Sequence, residues 1–346
     1  GDIDYPGRDA FVLVDAANVL RYAPRAGSDG ALIGGAVLTQ NEVRTIMQSA
    51  LDVANRARAQ IRRPLGSQAR VTISVVDTQG EILAIARTRD APVFGTDVSL
   101  QKARTAAFMS STTAAAFLGT LPDAKYLSTS TTPVSVSRAI NIAAYASALK
   151  SFVNDSSALA NGLAYSDRAT GNLSRPFFPD GIDNEGAGPL SKPAGEWSPF
   201  STGLQLDVAM NAILQHVLFV AGAGVPDVAP GCAGVALAND LSSVGQTIPG
   251  VRLGNGLQIF PGSVPIYRGG ALVGAIGVSG DGVDQDDMIA FLGVHNAGQS
   301  LGGAIGNAPA DRRADQVIAQ GVRLRYVQCP QAPFLDNTDD NVCEGK

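Results

Sequence analysis

Apolar positions recur at helical spacing from Thr39 onward, where Val43, Ile46, Met47, Ala50, Val53, Ala54 and Ala57 fall on one face. Thr39-Gln40-Asn41-Glu42 supplies a capping box at its start, and Arg62-Arg63-Pro64 is expected to end the helix. Two β-rich runs follow, 71–77 and 81–88, joined by Thr78-Gln79-Gly80 as a hairpin turn. Residues 98–117 read as one Ala-rich helix, with Val98, Leu100, Ala103, Ala107 and Met109 available for burial. Its small residues predict a close approach to a sheet or another helix. A second hairpin is expected over 264–279, turning at Arg268-Gly269-Gly270. The loop 280–283 leads from it into a helix from about Gln285 to Leu301 that ends at Gly302-Gly303.

The material between these blocks is of another kind. Residues 135–153 pattern as a helix, 166–203 as a long Gly/Pro/Asn/Asp-rich loop, and 204–221 as an apolar helix. Long loops of this sort usually serve a function or an interface. Residues 1–37 carry short apolar stretches broken by Gly, Pro and Asp, the pattern of an arm that packs on a neighbour. The organisation expected is an arm (1–37), a discontinuous domain (38–120 with 250–305), an insertion (121–249) and a tail (306–346).

Composition narrows the choices. With 45% apolar residues in 346, the chain can bury a sizeable core. Charged residues make up only 16%, the net charge is −5, and the two signs are interspersed, which argues against nucleic acid as a partner. No run of eighteen apolar residues predicts a membrane span. The Ala/Gly/Ser/Val-rich, Lys-poor balance is common in exported bacterial proteins, so a periplasmic or extracellular location is expected. The start at Gly1 fits a mature exported chain and equally a trimmed one. Of three cysteines, Cys329 and Cys343 read either as a disulfide across a short polar loop or as unrelated thiols. Cys232 is then the odd thiol, expected buried beside Gly231 and Gly234.

Several blocks in this order resemble one family: Leu38-Thr39, the strand 71–77 with Asp77 and Gly80, Lys102-Ala103-Arg104-Thr105-Ala106-Ala107, Gly269-Gly270 through Gly280, and Gln285-Asp286. The chain is similar to the GlcG/HbpS family, which also occurs as the C-terminal domain of PduO-type proteins. The resemblance implies an α/β (α+β) fold of profilin-like form, an antiparallel sheet flanked by helices. It also implies a tendency to form homo-oligomers and, in some members, haem binding. The long insertion between the hairpins departs from the family pattern.

Haem b bound non-covalently needs an axial ligand, and only His216 and His295 are available as histidines. His216 lies among Leu214, Val217 and Leu218, where a core histidine and a ligand are both readings. His295 lies in the family region, as a cofactor-binding residue or as a surface or interface histidine. No Cys-x-x-Cys-His occurs, which excludes covalent attachment. Lys102 and Arg104 point to different faces of their helix. Either can meet a ligand carboxylate or propionate, or an ion pair with Asp77 or Asp97. Asp281, Asp284 and Asp286, with Asp287, can hold a hard cation, or Asp284 can cap the helix. Asp336, Asp339 and Asp340 read as a solvated loop.

No nucleophile elbow, zincin motif or P-loop is present, and the glycines of GAIGVSG are weak evidence for phosphate binding. The function expected is a secreted, non-catalytic haem- or small-ligand-binding protein, working as a homo-oligomer or within a larger assembly. An enzyme or redox accessory, with His295 as acid–base beside Lys102 and Arg104, is the alternative. A structural protein without a pocket is the third reading.

Overall fold

The capping box at Thr39 forms as expected: its hydroxyl accepts from the Glu42 amide while the Glu42 carboxylate accepts from the Thr39 amide, opening helix α1, Gln40–Arg56. The computed structural model describes all residues except 1–2, 31–33, 129–134, 182–185, 199–202, 230–233, 237–246 and 251. Cys232 therefore lies outside the described residues. Helix α1 stops before Arg62-Arg63-Pro64, because Ala57 and Arg58 leave it to bridge Phe334 and Gln68.

The two expected hairpins are β1 (Thr72–Val76) with β2 (Ile82–Arg87), and β7 (Ser263–Arg268) with β8 (Ala271–Ser279). They join into one antiparallel sheet in the order β2-β1-β8-β7-β9, with β9 being Gly306–Asn307. Strand β8 pairs with β1 from Thr72↔Ser279 to Val76↔Ala275, so the central pairing is made between the two distant sequence blocks. Both hairpin turns consequently lie at the same end of the sheet. The whole is the mixed α+β architecture that the family resemblance implies.

Side chains alternate across this sheet. Ile73, Val75, Ile276 and Val278 pack in the larger apolar core with α1 and with helix α7, Val283–Ser300. The opposite face is small: Ser74, Val76, Ala275 and Gly277 meet helix α2, Gly95–Met109. Ser74 and Ser99 share a hydrogen bond of 2.8 Å there. A Cβ added at Gly277 would stand 2.1 Å from the Ser99 carbonyl oxygen and 2.5 Å from the Ala103 nitrogen. The small residues of both elements are thus one device for close helix–sheet approach.

The predicted helix 98–117 breaks at Ser110-Ser111-Thr112-Thr113, leaving a short α3, Ala114–Leu118. Hydroxyl side chains compete for backbone partners and disfavour helix interiors. Here the Ser110 hydroxyl accepts from the Tyr165 amide at 2.9 Å and donates to the Tyr165 carbonyl. The predicted helix 135–153 is likewise two elements. Residues Ser135–Ile140 form β4, paired with β3 (Ala124–Ser128), before α4, Ala143–Phe152. The presumed loop 166–203 contains a fully buried helix α5, Asp167–Ser174, capped by Ser166. Helix α6 runs Leu204–Val220 as expected, and β5 (Gly234–Ala236) pairs with β6 (Thr247–Pro249). The N-terminal arm packs on its own domain: Tyr5 is buried, Arg8 pairs with Asp52 of α1, and Phe11 bridges Arg87 of β2. In the tail, β10 (Ile318–Ala319) pairs with β11 (Val322–Arg323). Cys329 and Cys343 form a disulfide, and Asp336 pairs with Arg56 where the spacing suggested only a solvated loop.

Glu42 also ties α1 to the sheet, accepting from Arg268 Nη1 at 2.7 Å and Nη2 at 2.9 Å. Burial alone would raise its pKa, but the Arg268 guanidinium and the Thr39 donors more than offset that and hold the carboxyl below its usual range. A depressed folded pKa contributes stability above the unfolded Glu value, lost as pH falls through the folded one. Glu42→Gln is expected to cost about 1.5–3 kcal/mol at pH 7, since hydrogen bonds to a charged group are lost. Urea denaturation at pH 7 and pH 3 tests this, with the difference between the two proteins shrinking at the lower pH.

Candidate functional site

The geometry just described brings four things together at the turn end of the sheet. Helix α2 runs from Ser279 toward the turns, so the residues that follow it, Ser110–Thr113, arrive beside Thr78 and Gln79 of the first turn and Gly270-Ala271-Leu272 of the second. Asn161-Gly162 from the segment after α4, with Arg252 and Arg312, closes the sides. The result is a groove of about 570 Å³, within the range of small-molecule sites.

Arg252 lies in its wall over the Phe108–Phe117 pair, its guanidinium carbon 5.6 Å from the Phe108 centroid and 5.7 Å from that of Phe117. Its Nη1 donates to Thr113 Oγ1 at 3.0 Å, and its buried Nε has no hydrogen-bond partner among the described residues. Burial lowers its pKa, with the Asp77 carboxylate acting against that trend. Arg312 stands opposite in chemistry, exposed, with Nη1 donating to the Gly270 carbonyl at 2.8 Å. Among the described residues neither arginine makes an ion pair with a carboxylate. Tyr267 contributes an aromatic surface; its buried hydroxyl has no hydrogen-bond partner among the described residues, and burial pushes its pKa up to about 12.

The sequence-derived candidates lie elsewhere. Lys102 donates to the Val278 carbonyl at 2.8 Å and to Asp286 Oδ2 at 2.9 Å, in place of the expected partners Asp77 or Asp97. Arg104 on the other side of α2 holds the first turn, with Nε on the Gly80 carbonyl and Nη1 on Asn255 Oδ1. It borders a second cavity of about 270 Å³ with Arg21, Tyr22 and Arg25. His295 is half-buried near the end of α7, its pKa lowered by burial and by the Lys346 and Arg313 charges. His216 is exposed on α6 and bonded through Nδ1 to Asp227 at 2.8 Å, so it is not a core histidine. The apolar run around it misleads because Ile213, Val217, Phe219 and Val220 are exposed as well.

The acidic residues belong to a buried ionic cluster that joins α7 to α5. Arg168 is 1% exposed and spends its guanidinium on three carboxylates: Nε on Asp287 at 2.6 Å, Nη1 on Asp180 at 2.7 Å and Nη2 on Asp284 at 2.7 Å. Gly282, not Asp284, occupies the cap position of α7. Burial raises the Asp286 carboxyl to about 7 and that of Asp287 to about 6, against the pull of Lys102 and Arg168 respectively. Asp281 accepts from the Gln60 and Ile61 amides and lies 3.7 Å from Arg62. Among the described residues no group of three or more His, Cys, Asp or Glu is arranged to hold a metal ion.

Sequence reasoning missed Arg252, Arg312 and the Ser110–Thr113 wall. The one available signal was the run of four hydroxyl residues inside an otherwise helical stretch.

An antiparallel sheet closed by two distant hairpins, with helices on both faces and a groove at the turn end, defines an α+β class of domain. A family model described as haem degrading protein HbpS-like matches residues 46–161 and 233–295, and the chain belongs to this HbpS-like family. Helices α5 and α6 fall between the matched segments. No curated protein matches the chain.

Proposed function

We propose that the protein is a secreted, non-catalytic haem- or small-ligand-binding protein, and that its ligand occupies the turn-end groove. The observation that carries this reading is the groove itself, built from both halves of a haem-related family domain and lined by two arginines that make no ion pair with a carboxylate among the described residues. Haem fits this lining in part. Its propionates suit Arg252 and Arg312, and the Phe108–Phe117 pair beneath Arg252 gives the wall an apolar backing. Bound haem would supply an iron centre open to axial ligation. Tyr267 is the one side chain of a common axial type in the lining, and its high pKa opposes the phenolate form.

The family description speaks of haem degradation. Binding is favoured over acid–base catalysis here because no carboxylate or imidazole lines the groove among the described residues. Export is supported by the disulfide, which persists in oxidising compartments. No helix among the described residues is long and apolar enough to cross a membrane. Assembly into a homo-oligomer, or into a larger complex, is part of the same reading and is supported by the exposed apolar residues of α6.

Titrating the purified protein with haem is expected to give a saturable Soret shift at one haem per chain, unchanged by His295→Ala and His216→Ala. Absence of any shift removes the haem version, and loss of the shift in either histidine variant moves the site away from the groove.

A further inference from the structure

Arg252 is in an energetically unusual position. A buried cation is costly unless paired, and buried charges are normally neutralised by a neighbour or a bound group. Here the half-buried guanidinium caps the Phe108–Phe117 pair and is bonded through Nη1 to the Thr113 hydroxyl, with a buried Nε that has no hydrogen-bond partner among the described residues. Thr113 offers a dipole in place of a full countercharge. Arg312, at the Gly270 rim of the same groove, carries a second charge with only a backbone carbonyl to bond.

Two arginines lining one groove, from its wall and its rim, match a ligand with two carboxylates, since a guanidinium binds a carboxylate through charge-assisted hydrogen bonds. Resting on the reading of the groove as the ligand site, we propose that the ligand is recognised as a dicarboxylate, with Arg252 as the inner clamp and Arg312 as the outer one. The Arg252 clamp is the specificity-determining contact. An anion there gives a half-buried cation an ion-pair partner that it lacks among the described residues, whereas a neutral ester would not. Arg312, being solvated, steers and adds less.

The test compares free acids with their esters on the full chain. Protoporphyrin and its dimethyl ester are titrated by fluorescence, and linear aliphatic or aromatic dicarboxylates and their diesters are compared by thermal shift. The free acids are expected to bind at least tenfold more tightly than the esters. Arg252→Gln is expected to abolish that preference, and Arg312→Gln to reduce it less. Because Arg252 makes no ion pair with a carboxylate among the described residues, Arg252→Gln without ligand is expected to melt close to the unaltered protein. Arg252→Lys, which keeps the charge without the fork, is expected to retain part of the preference.

If neither porphyrin binds while a dicarboxylate still stabilises the protein through Arg252, the haem reading falls and the clamp stands. Equal binding of acids and esters, or no stabilisation by any diacid, overturns the clamp. So does an equal loss for acids and esters in Arg252→Gln.

Discussion

Replacing Gly277 by alanine is expected to destabilise the protein by at least about 3 kcal/mol, the upper end of the cost of overpacking a core. A methyl group would have to enter where the Ser99 carbonyl oxygen is 2.1 Å and the Ala103 nitrogen 2.5 Å away. Both obstacles are backbone, and both belong to α2, so neither can yield by a change of rotamer. The helix must lift from β8, and the small contacts made by Val76, Ala103, Ala106, Ala107 and Ala275 loosen with it. Since α2 delivers Ser110–Thr113 to the groove, ligand binding should weaken as well. Gly306→Ala is the control, because a Cβ there meets nothing within 4 Å. Urea denaturation of the two variants settles the matter: similar midpoints would show that α2 is not held at the distance described.

Arg168→Met is expected to be nearly as severe, at about 3–5 kcal/mol near neutral pH, the usual cost of removing one partner from a buried ionic group. Three carboxylates lose their cation at once, those of Asp180, Asp284 and Asp287, and beside them both carboxyl oxygens of Asp167 already lack a hydrogen-bond partner. The pH dependence gives the test its sign. Burial raises the Asp287 carboxyl to about 6 even with Arg168 present, and Asp167 well above its ordinary value. Carboxyls whose folded pKa exceeds the unfolded one make the native state bind more protons, so their penalty grows as pH rises from about 4 through the folded value. Removing the guanidinium raises Asp287 further. The deficit of Arg168→Met should therefore be larger at pH 7.5 than at pH 5, and equal deficits at both would show that the cluster is not electrostatically coupled.

The fold was largely legible because its signals are local. The Thr39 box, the two hairpin turns and the small-residue face of α2 each depend on a few adjacent residues, and together they lead to the family sheet. Where the periodicity misled, a non-local partner intervened. Helix α5 looks like loop because it is short and contains Thr170, Gly171, Asn172 and Ser174; burial against the domain and the Arg168 cluster compensate for that poor propensity. The break after Met109 follows from the Tyr165 backbone meeting Ser110, fifty-five positions away. The groove was the least legible part. Arg252 sits in a turn and Arg312 ends the short 3-10 helix Ala310–Arg312, neither within a motif, and what distinguishes Arg252 is the lack of an ion pair among the described residues, which no sequence displays. Lys102 and Asp286, which stand inside the family blocks, were visible and pair with each other.

The pairing of β1 with β8 also dictates an order of events. When the ribosome has finished the first hairpin, β1 has one neighbour and one open edge. Its other neighbour follows roughly 200 residues later, a delay of about ten to forty seconds at ordinary rates of synthesis. Until then Val75 and Ile73 face no finished core, and a strand edge of this kind invites pairing with other chains. Completion of the sheet is thus a late, long-range closure, intrinsically slow among folding reactions.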